Sequence, residues 1–330
     1  MSIYNFLGFL SNHMKIRHLK HPLLSMLIVF TLTGSSKAMD SKPLETAPFH
    51  RAVRTGVITD PMIQETSGIY ASQKNRPVLW VVNDSRNAPV LYAILPDGKR
   101  LKECPIEGAI KNTDWEDLAG FQYEGNDFLV IADVGDNKAR REFLTLFGVK
   151  EPEPGTAGPL KLQWQMRFNY EDGPKDCEAV AVDTANKRIL LLSKRQKQPV
   201  LYELPLVIYP PDTLYTARPI AKISNIPQPT ASDLKEKYGK YRSWPTSMDL
   251  SSNGRTLFIL TYKNGYTYSR KINQTWEEAF QSLPKLIRLP HPNTGELVQR
   301  EAICIDHQTG RLIVTTEKTP SPIYTLDPMD

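Results

Sequence analysis

The chain has 330 residues, of which 40% are hydrophobic, and it carries 41 basic and 36 acidic side chains. Four basic residues and no acidic residue fall within the first 38 positions, which leaves 37 basic against 36 acidic residues in the remainder. The main part of the chain is therefore almost neutral. Its net charge gives no support for binding to nucleic acid, and we expect no nucleic-acid partner. Its length suffices for one large domain.

The first 38 residues have the layout of a secretory signal peptide. A basic stretch containing Lys15 and Lys20 precedes an apolar core at 22–34, and small residues suited to cleavage end at Ala38. Translation from Met14 would give a more orthodox leader than translation from the first residue. The apolar core is too short for a comfortable membrane span. We therefore expect an exported protein, periplasmic or extracellular, with no membrane span once the signal is removed.

A short phrase containing an acidic residue returns five times along the rest of the chain. Its copies are Gln64-Glu65-Thr66-Ser67-Gly68-Ile69, Trp115-Glu116-Asp117-Leu118-Ala119, Cys177-Glu178-Ala179-Val180-Ala181, Pro245-Thr246-Ser247-Met248-Asp249 and Arg300-Glu301-Ala302-Ile303-Cys304. Intervals of 51, 62, 68 and 55 positions separate the aligned residues, which are Glu65, Glu116, Glu178, Thr246 and Glu301. Repeats of this length with strand-like content are typical of radial repeat proteins.

Each repeat contains three or four runs of branched and aromatic residues, bounded by turn residues. The last repeat has only three such runs, and residues 51–58 supply a further run that can pair with it and close the ring. The pattern predicts an all-β fold, a five-bladed β-propeller whose N-terminal strand closes the last blade. A six-bladed ring is the alternative if 178–246 conceals an extra blade. We interpret the proline-rich stretch at about 205–243 as an insertion in a single domain spanning 39–330.

In an antiparallel blade, the start of the inner strand and the end of the second strand lie at the same mouth of the central channel. The inner-strand positions are Glu65, Glu116, Glu178, Thr246 and Glu301. The second-strand positions are Asp84, Asp133, Lys194, Tyr262 and Glu317. Two ionised carboxylates about 7 Å apart repel by about 2 kcal/mol at an effective dielectric of about 20. So many of them require a cation, a shared proton or backbone donors.

A hard divalent cation held by oxygen ligands, calcium in the first place, is the predicted occupant of this mouth. The candidate ligands are the acids of both rings and of the adjoining loops: Glu65, Asp84, Glu116, Asp117, Asp133, Asp136, Glu178 and Glu301. The alternative is structural, because acids at blade starts can accept hydrogen bonds from backbone N–H groups and hold neighbouring blades together. The sequence leaves both interpretations open.

Basic and aromatic residues are predicted on the same face. They suit an anionic small molecule such as a phosphoester, and the candidate contacts are Arg140, Arg141, Lys194, Tyr262 and Glu317. The insertion enters the fourth repeat on this side. It could lie over the mouth as a lid, with Tyr238, Tyr241 and Trp244 as contacts, and a solvated basic loop is the alternative.

Familiar catalytic motifs are absent from the sequence. It contains no G-x-S-x-G elbow, H-E-x-x-H, C-x-x-C, P-loop or dinucleotide glycine motif. The three cysteines are an odd number and do not indicate a disulfide framework. Any catalysis would therefore depend on carboxylates and a water held by a metal, with a lysine or histidine as a further candidate, and no catalytic residue can be assigned.

Several of these phrases resemble those of exported bacterial propellers of unsettled function, namely Glu65-Thr66-Ser67-Gly68-Ile69, Asn83-Asp84-Ser85, Asp114-Trp115-Glu116-Asp117-Leu118-Ala119 and Gly135-Asp136-Asn137. The opening phrase is also similar to the SdiA-regulated and phytase-like (esterase-like) propeller families, in which an E-x-S-G phrase begins a blade. In metal-using relatives the channel-mouth carboxylates hold calcium, which implies as ligands here Glu65, Glu116, Asp133, Glu178 and Glu301. Pro245-Thr246 departs from this pattern and leaves a gap in the ring.

The sequence thus favours an exported propeller whose acidic mouth binds a divalent cation and an anionic small molecule. If the protein is an enzyme, metal-assisted hydrolysis of a phosphoester or related ester is the expected reaction. The competing hypothesis is a non-catalytic interaction module of the cell envelope that docks a protein or glycan. The sequence does not decide between the two.

Overall fold

The computed structural model describes residues 43–108, 110–153, 155, 158–290 and 299–329, and the predicted signal peptide lies outside these ranges. Within them the chain forms twenty strands, three short 3-10 helices and one four-residue α-helix, Trp276–Ala279. The all-β prediction is therefore confirmed. None of the described helices has the length and apolar character needed to cross a bilayer.

Antiparallel pairing groups the strands into units of four. The chain begins with β1 (Val53–Ile58), which belongs to the last unit. Unit one comprises β2 (Thr66–Ala71), β3 (Leu79–Asn83), β4 (Val90–Ile94) and β5 (Arg100–Glu107). Unit two comprises β6 (Trp115–Tyr123), β7 (Asn126–Asp133), β8 (Leu144–Lys150) and β9 (Leu160–Tyr170).

The remaining strands form three further units of the same kind. Unit three comprises β10 (Cys177–Asp183), β11 (Arg188–Ser193), β12 (Val200–Pro205) and β13 (Leu214–Lys222). Unit four comprises β14 (Pro245–Leu250), β15 (Thr256–Thr261), β16 (Gly265–Ser269) and β17 (Lys285–Ile287). Unit five comprises β18 (Arg300–Ile305), β19 (Leu312–Thr316), β20 (Ser321–Leu326) and β1. Repeated four-stranded sheets of this kind are the blades of a β-propeller.

The N-terminal strand closes the last unit, as predicted. β1 runs antiparallel to β20, with Val53 opposite Thr325 and Ile58 opposite Ser321. This pairing covers an edge of β20 that would otherwise be open to other chains. At the rim, β9 also makes short parallel pairings with β5 and β13, which link the first three units.

The proline-rich stretch at about 205–243 contains a strand as well as an insertion. β13 occupies part of it, so the interval 178–246, which is described throughout, contains a single four-stranded unit. The residues that follow form two 3-10 helices, Asp233–Lys235 and Gly239–Tyr241. This segment is anchored by Asp233, because Lys263 Nζ lies 2.8 and 2.7 Å from its two carboxylate oxygens.

The apolar core is divided into five clusters, each lying between neighbouring units. Trp80 and Trp115 are fully buried in the cluster between units one and two, so both are core residues. The cysteines Cys104, Cys177 and Cys304 are buried and free.

Each inner strand begins with a β-bulge. The register shifts between the first and third residues of β2, β6, β10, β14 and β18, so one residue in each bulge lacks a partner on the adjacent strand. Those residues are Ser67, Glu116, Glu178, Thr246 and Glu301. A bulge changes the direction of the extra side chain and is common beside functional sites. Here it gives the five units one equivalent position at the start of the inner strand, at one mouth of the channel.

A buried carboxylate joins several units across the channel. Asp117 is 1% exposed, and it accepts hydrogen bonds from the Leu118 amide (3.0 Å), the Val180 amide (2.8 Å) and the Ser247 hydroxyl (3.0 Å). The Ser247 hydroxyl in turn accepts a hydrogen bond from the Ile303 amide at 3.2 Å. This network connects unit two to units three, four and five.

We predict that Asp117→Ala lowers the free energy of unfolding by about 3 kcal/mol or more, because several buried donors lose their acceptor at about 1–3 kcal/mol each. Urea unfolding monitored by tryptophan fluorescence measures this change. Asp212 is a suitable control, since its side chain is 83% exposed, and Asp212→Ala is expected to change stability by less than about 0.5 kcal/mol. Equal effects of the two substitutions would contradict a role for Asp117 in holding the units together.

Candidate metal site at the channel mouth

Three buried glutamates occupy bulged positions at one mouth of the channel. Glu116, Glu178 and Glu301 are 7%, 3% and 8% exposed. The other two bulged positions hold hydroxyl residues, Ser67 and Thr246. The ring of equivalent positions therefore contains three acids, as the repeated phrase predicts for units two, three and five.

Glu65 does not occupy the ring position that the sequence alignment assigns to it. Thr66 and Trp115 are equivalent, because each pairs with the last residue of the second strand in its unit. Glu65 therefore corresponds to Asp114, and Ser67 takes the bulge of unit one. The alignment of acidic residues is displaced by two positions here, because the phrase alone does not show where the bulge falls.

Lys194 is a buried cation at this mouth. Its side chain is 3% exposed, its ammonium forms an ion pair with Glu178, and it donates a hydrogen bond to the Tyr262 hydroxyl at 2.9 Å. Burial alone would lower the pKa of Lys194, but attraction to Glu178 and Glu301 outweighs burial and raises it well above its usual range. Lys194 therefore stays charged and compensates one of the carboxylates.

One glutamate of the ring, Glu116, forms a compact group with two aspartates. Oxygens of Asp84, Asp114 and Glu116 lie within 4.8 Å of one another. Asp84 follows β3 and Asp114 precedes β6, so units one and two both contribute. Gly135 packs against the group, because a Cβ at that position would lie 2.2 Å from Glu116 Oε1 and 2.4 Å from Asp114 Oδ2. The structure thus joins two predicted ligands, Asp84 and Glu116, with Asp114, which the sequence analysis missed.

The carboxyl groups of this cluster are difficult to ionise without a cation. Burial raises the pKa of Asp84 and of Asp114 to about 6, and neighbouring carboxylates contribute to both increases. Burial raises the pKa of Glu116 well above its usual range, and repulsion from Glu178 and Asp84 adds to this effect. Among the described residues, none donates a hydrogen bond to the Glu116 carboxylate. A proton or a metal ion would compensate these charges.

Asp133 and Asp136 have partners within the protein. Arg141 Nη1 lies 2.6 Å from Asp133 Oδ1 and donates a hydrogen bond to the Gly135 carbonyl at 2.9 Å. The backbone amides of Arg140 and Arg141 donate to Asp136 Oδ2 at 2.6 and 2.8 Å. The Arg140 side chain itself is exposed. These contacts order the loop that carries Gly135, so Asp133 and Asp136 support the cluster from outside it.

Three further predicted residues, Glu65, Glu317 and Asp117, lie outside the cluster. Asn87 Nδ2 donates a hydrogen bond to Glu65 Oε2 at 3.0 Å. Burial raises the pKa of Glu317, Lys318 opposes this increase, and Glu65 reinforces it. Glu317 Oε2 is buried and has no hydrogen-bond partner among the described residues. Asp117 lies in the interior network, where both of its oxygens already accept hydrogen bonds.

The insertion contacts the mouth through a cation and an aromatic ring. Arg195, which follows Lys194 in the chain, forms an ion pair with Asp176. Its guanidinium lies 4.8 Å from the centre of the Trp244 ring, and the ring centres of Trp244 and Tyr241 are 4.4 Å apart. The basic and aromatic surface predicted near the mouth therefore adjoins the ion pairs of unit three.

The comparisons with known proteins show no family for this chain. No protein-family model matches the chain, and no curated protein matches it. Among solved structures, the chain is similar to the crystal structure of glutaminyl cyclase from Myxococcus xanthus, with 11% identity and a TM-score of 0.48, over 88% of this chain and 100% of that chain. A similarity this low transfers no function. The comparisons support neither the SdiA-regulated nor the phytase-like family.

We predict that Asp84→Asn stabilises the protein at neutral pH when chelator is present. Because burial raises the pKa of Asp84 from 3.8 to about 6, this group binds a proton more tightly in the folded than in the unfolded state. Its contribution to the free energy of unfolding therefore falls as the pH rises from about 4 to about 6. The advantage of the variant over wild type should be absent near pH 4 and reach about 1–3 kcal/mol near pH 7.

Urea unfolding at a series of pH values measures this difference. Asp212→Asn, at an exposed position, serves as the control and is expected to show no such pH dependence. An advantage of Asp84→Asn that grows as the pH falls would contradict the predicted sign.

Proposed function

We propose that this protein binds a divalent cation at the mouth of its channel through Asp84, Asp114 and Glu116. Calcium is the first expectation, because carboxylate oxygens are the ligands that hard cations prefer. The observation that carries the proposal is the grouping of three carboxylates within 4.8 Å, one of them a glutamate that is only 7% exposed. A divalent cation would supply the positive charge that these residues lack.

The charges around the cluster support the same proposal. Lys194 forms an ion pair with Glu178, and its attraction to Glu116 and Glu301 does not outweigh their burial. Glu301 is 8% exposed, and burial raises its pKa well above the usual range, although Lys194 opposes this increase. A cation bound near Glu116 would therefore reduce repulsion throughout the mouth as well as within its own ligand set.

We further propose that the occupied site takes an anionic small molecule. Burial raises the pKa of Tyr262, and the charge of Glu301 adds to this effect, so the phenol keeps its proton. Since the Tyr262 oxygen accepts a hydrogen bond from Lys194, its own O–H group is left to donate to a ligand. Arg195 adds a guanidinium at the edge of the mouth. These donors suit the oxygens of a phosphoester or a carboxylate.

Hydrolysis of a bound phosphoester or related ester is the reaction we propose, if the protein is an enzyme. A divalent cation would polarise the ester oxygen and lower the pKa of an attacking water. Lys194 and Arg195 would place positive charge near the negative charge that develops on the ester. With the export expected from the N-terminal sequence, this activity would lie in the periplasm or outside the cell.

The insertion supports a second candidate function, a non-catalytic interaction module of the cell envelope. Leu234 and Tyr238 lie on this segment and are 60% and 42% exposed. Apolar side chains exposed together on one segment suit the docking of a protein or glycan. Retention of an envelope partner in the presence of chelator, combined with inactivity on esters, would favour this function over the first.

We predict that calcium raises the melting temperature of the chain 39–330 in a saturable way. Binding to the folded state alone adds RT ln(1 + [L]/Kd), or about 2.7 kcal/mol at a hundredfold excess over Kd. Glu116→Gln should abolish this increase, because an amide carries no charge for the cation. Thermal unfolding in chelator and across a calcium titration measures both effects, with magnesium and manganese titrations alongside.

The matched control is Glu107→Gln, at an exposed position of β5, which should retain the full calcium effect. If none of the three cations changes the melting temperature, the acidic residues have a structural role. If calcium still raises the melting temperature of Glu116→Gln, the metal binds at a site other than the proposed ligands.

We predict that any hydrolytic activity on a panel of phosphomonoesters, phosphodiesters and carboxylic esters depends on the same cation. Chelator and Glu116→Gln should each reduce the rate by at least about a hundredfold, since the cation stabilises the transition state. Glu107→Gln should leave the rate unchanged. Hydrolysis that persists in chelator would place the active site elsewhere.

A further inference from the structure

A pocket lies at the mouth of the channel opposite the carboxylate cluster, where the inner strands end. Its volume is about 230 Å³, and all five units contribute to its lining, including Tyr70, Asp127, Asp249 and His307. The hydrogen-bonded network around Asp117 lies between this pocket and the carboxylates of the other mouth. The two mouths are therefore separate sites, and the inference drawn from this pocket does not depend on the proposed function.

The lining of this pocket is acidic, and no lysine or arginine belongs to it. One of its three aspartates, Asp183, is compensated from outside the pocket by Arg188 at 3.0 Å and Arg270 at 3.3 Å. Asp127 and Asp249 form no ion pair with a lysine or arginine among the described residues. His307 is the one basic side chain of the lining, and its attraction opposes the burial that raises the pKa of Asp249. The pocket thus holds two carboxylates without a lysine or arginine partner, and a cationic ligand would complement them.

Both carboxylates retain capacity to accept hydrogen bonds. Asp249 accepts one from the Leu250 amide at 2.7 Å and one from the Ile305 amide at 2.9 Å, one on each oxygen. Asp127 accepts a single long hydrogen bond of 3.4 Å from Gln122. Since an ionised carboxylate offers about four acceptor positions, both groups can still receive N–H donors from a ligand.

Tyr70 gives the pocket a fixed aromatic wall. The residue is 6% exposed, and its ring lies directly on Gly120, where a Cβ would be 2.2 Å from the ring carbon that bears the hydroxyl. No described residue forms a hydrogen bond with the Tyr70 hydroxyl. His307 adds a second unpaired group, because its Nδ1 is buried and lacks a hydrogen-bond partner among the described residues.

These features favour an organic cation over a metal ion. Among the described residues, acidic, histidine and cysteine ligand atoms are close enough for a shared metal only at Asp84, Asp114 and Glu116, at the other mouth. Carboxylates spread around an aromatic ring instead suit an ammonium group, which the electron-rich face and oxygen of a phenol also attract. A volume of about 230 Å³ limits the ligand to a small one, since drug-sized ligands occupy roughly 300–1,000 Å³.

We infer that this pocket binds a small organic ammonium ion, held between Tyr70, Asp127 and Asp249. A primary ammonium would donate hydrogen bonds to the two carboxylates and to the oxygen of Tyr70. A methylated ammonium would contact the ring through its polarised methyl groups. The pocket is therefore a binding site for the amine-bearing part of a small polar molecule.

Ligand-observed NMR in the presence of chelator tests this inference. The probes are tetramethylammonium and n-butylammonium, and tert-butanol is the uncharged analogue of similar shape. We expect saturable binding of at least one ammonium probe and none of tert-butanol. Asp127→Asn should weaken binding about tenfold, and Asp127→Lys should abolish it because a tethered ammonium would occupy the pocket. Asp84→Asn, at the other mouth, should leave the affinity unchanged.

The inference is overturned if neither ammonium probe binds at about 10 mM, a concentration that nearly saturates a site with a Kd of about 1 mM. It is also overturned if tert-butanol binds equally well, or if both Asp127 variants keep the wild-type affinity. Calcium, added without chelator, could also displace the ammonium probe. If it does so in the Asp84→Asn variant as well as in wild type, the pocket is a metal site and the inference is wrong. Thermal unfolding of each variant verifies that loss of binding is not loss of fold.

Discussion

The burial of negative charge at one mouth of the channel is the constraint on which the rest of this structure depends. Five equivalent bulges bring the starts of the inner strands together, and three of them carry the glutamates Glu116, Glu178 and Glu301. Burial opposes the ionisation of each one. The ion pair of Lys194 with Glu178 and the close packing of Gly135 against Glu116 both follow from those charges.

The response differs between the two sides of the mouth. In units three and four, the position after the second strand holds Lys194 and Tyr262, and the lysine compensates Glu178. In unit one the equivalent position holds Asp84, which increases the repulsion around Glu116. The fold thus supplies its own cation on one side and concentrates acids on the other. That asymmetry is the physical reason to locate a metal ion between units one and two.

Much of the fold could be predicted from the sequence, because each unit of a propeller repeats the same pattern of strands and turns. The period of the acidic phrase and the missing last strand together indicated the ring and its closure by β1. The phrase also identified Glu116, Glu178 and Glu301, since each takes the same place in its unit. It misplaced Glu65, because a bulge adds a residue without leaving a signature in the sequence. Backbone register had to be seen before equivalent positions could be assigned.

The sequence was less informative about individual ligands. Asp114 lies one residue before the copy of the repeated phrase that contains Glu116, so only the folded structure shows that it reaches Asp84 and Glu116. Asp117 follows Glu116 directly in the chain, yet its carboxylate joins units in the interior. The opposite pocket was not predicted, because its lining residues come from strand ends and loops of five separate units.

Anomalous diffraction from crystals soaked in manganese tests the central claim most directly. The account predicts a peak within about 2.5 Å of carboxylate oxygens from Asp84, Asp114 and Glu116, and no such peak in crystals of Glu116→Gln. An ordered channel mouth without a peak, or a peak elsewhere with these three carboxylates unliganded, would contradict it.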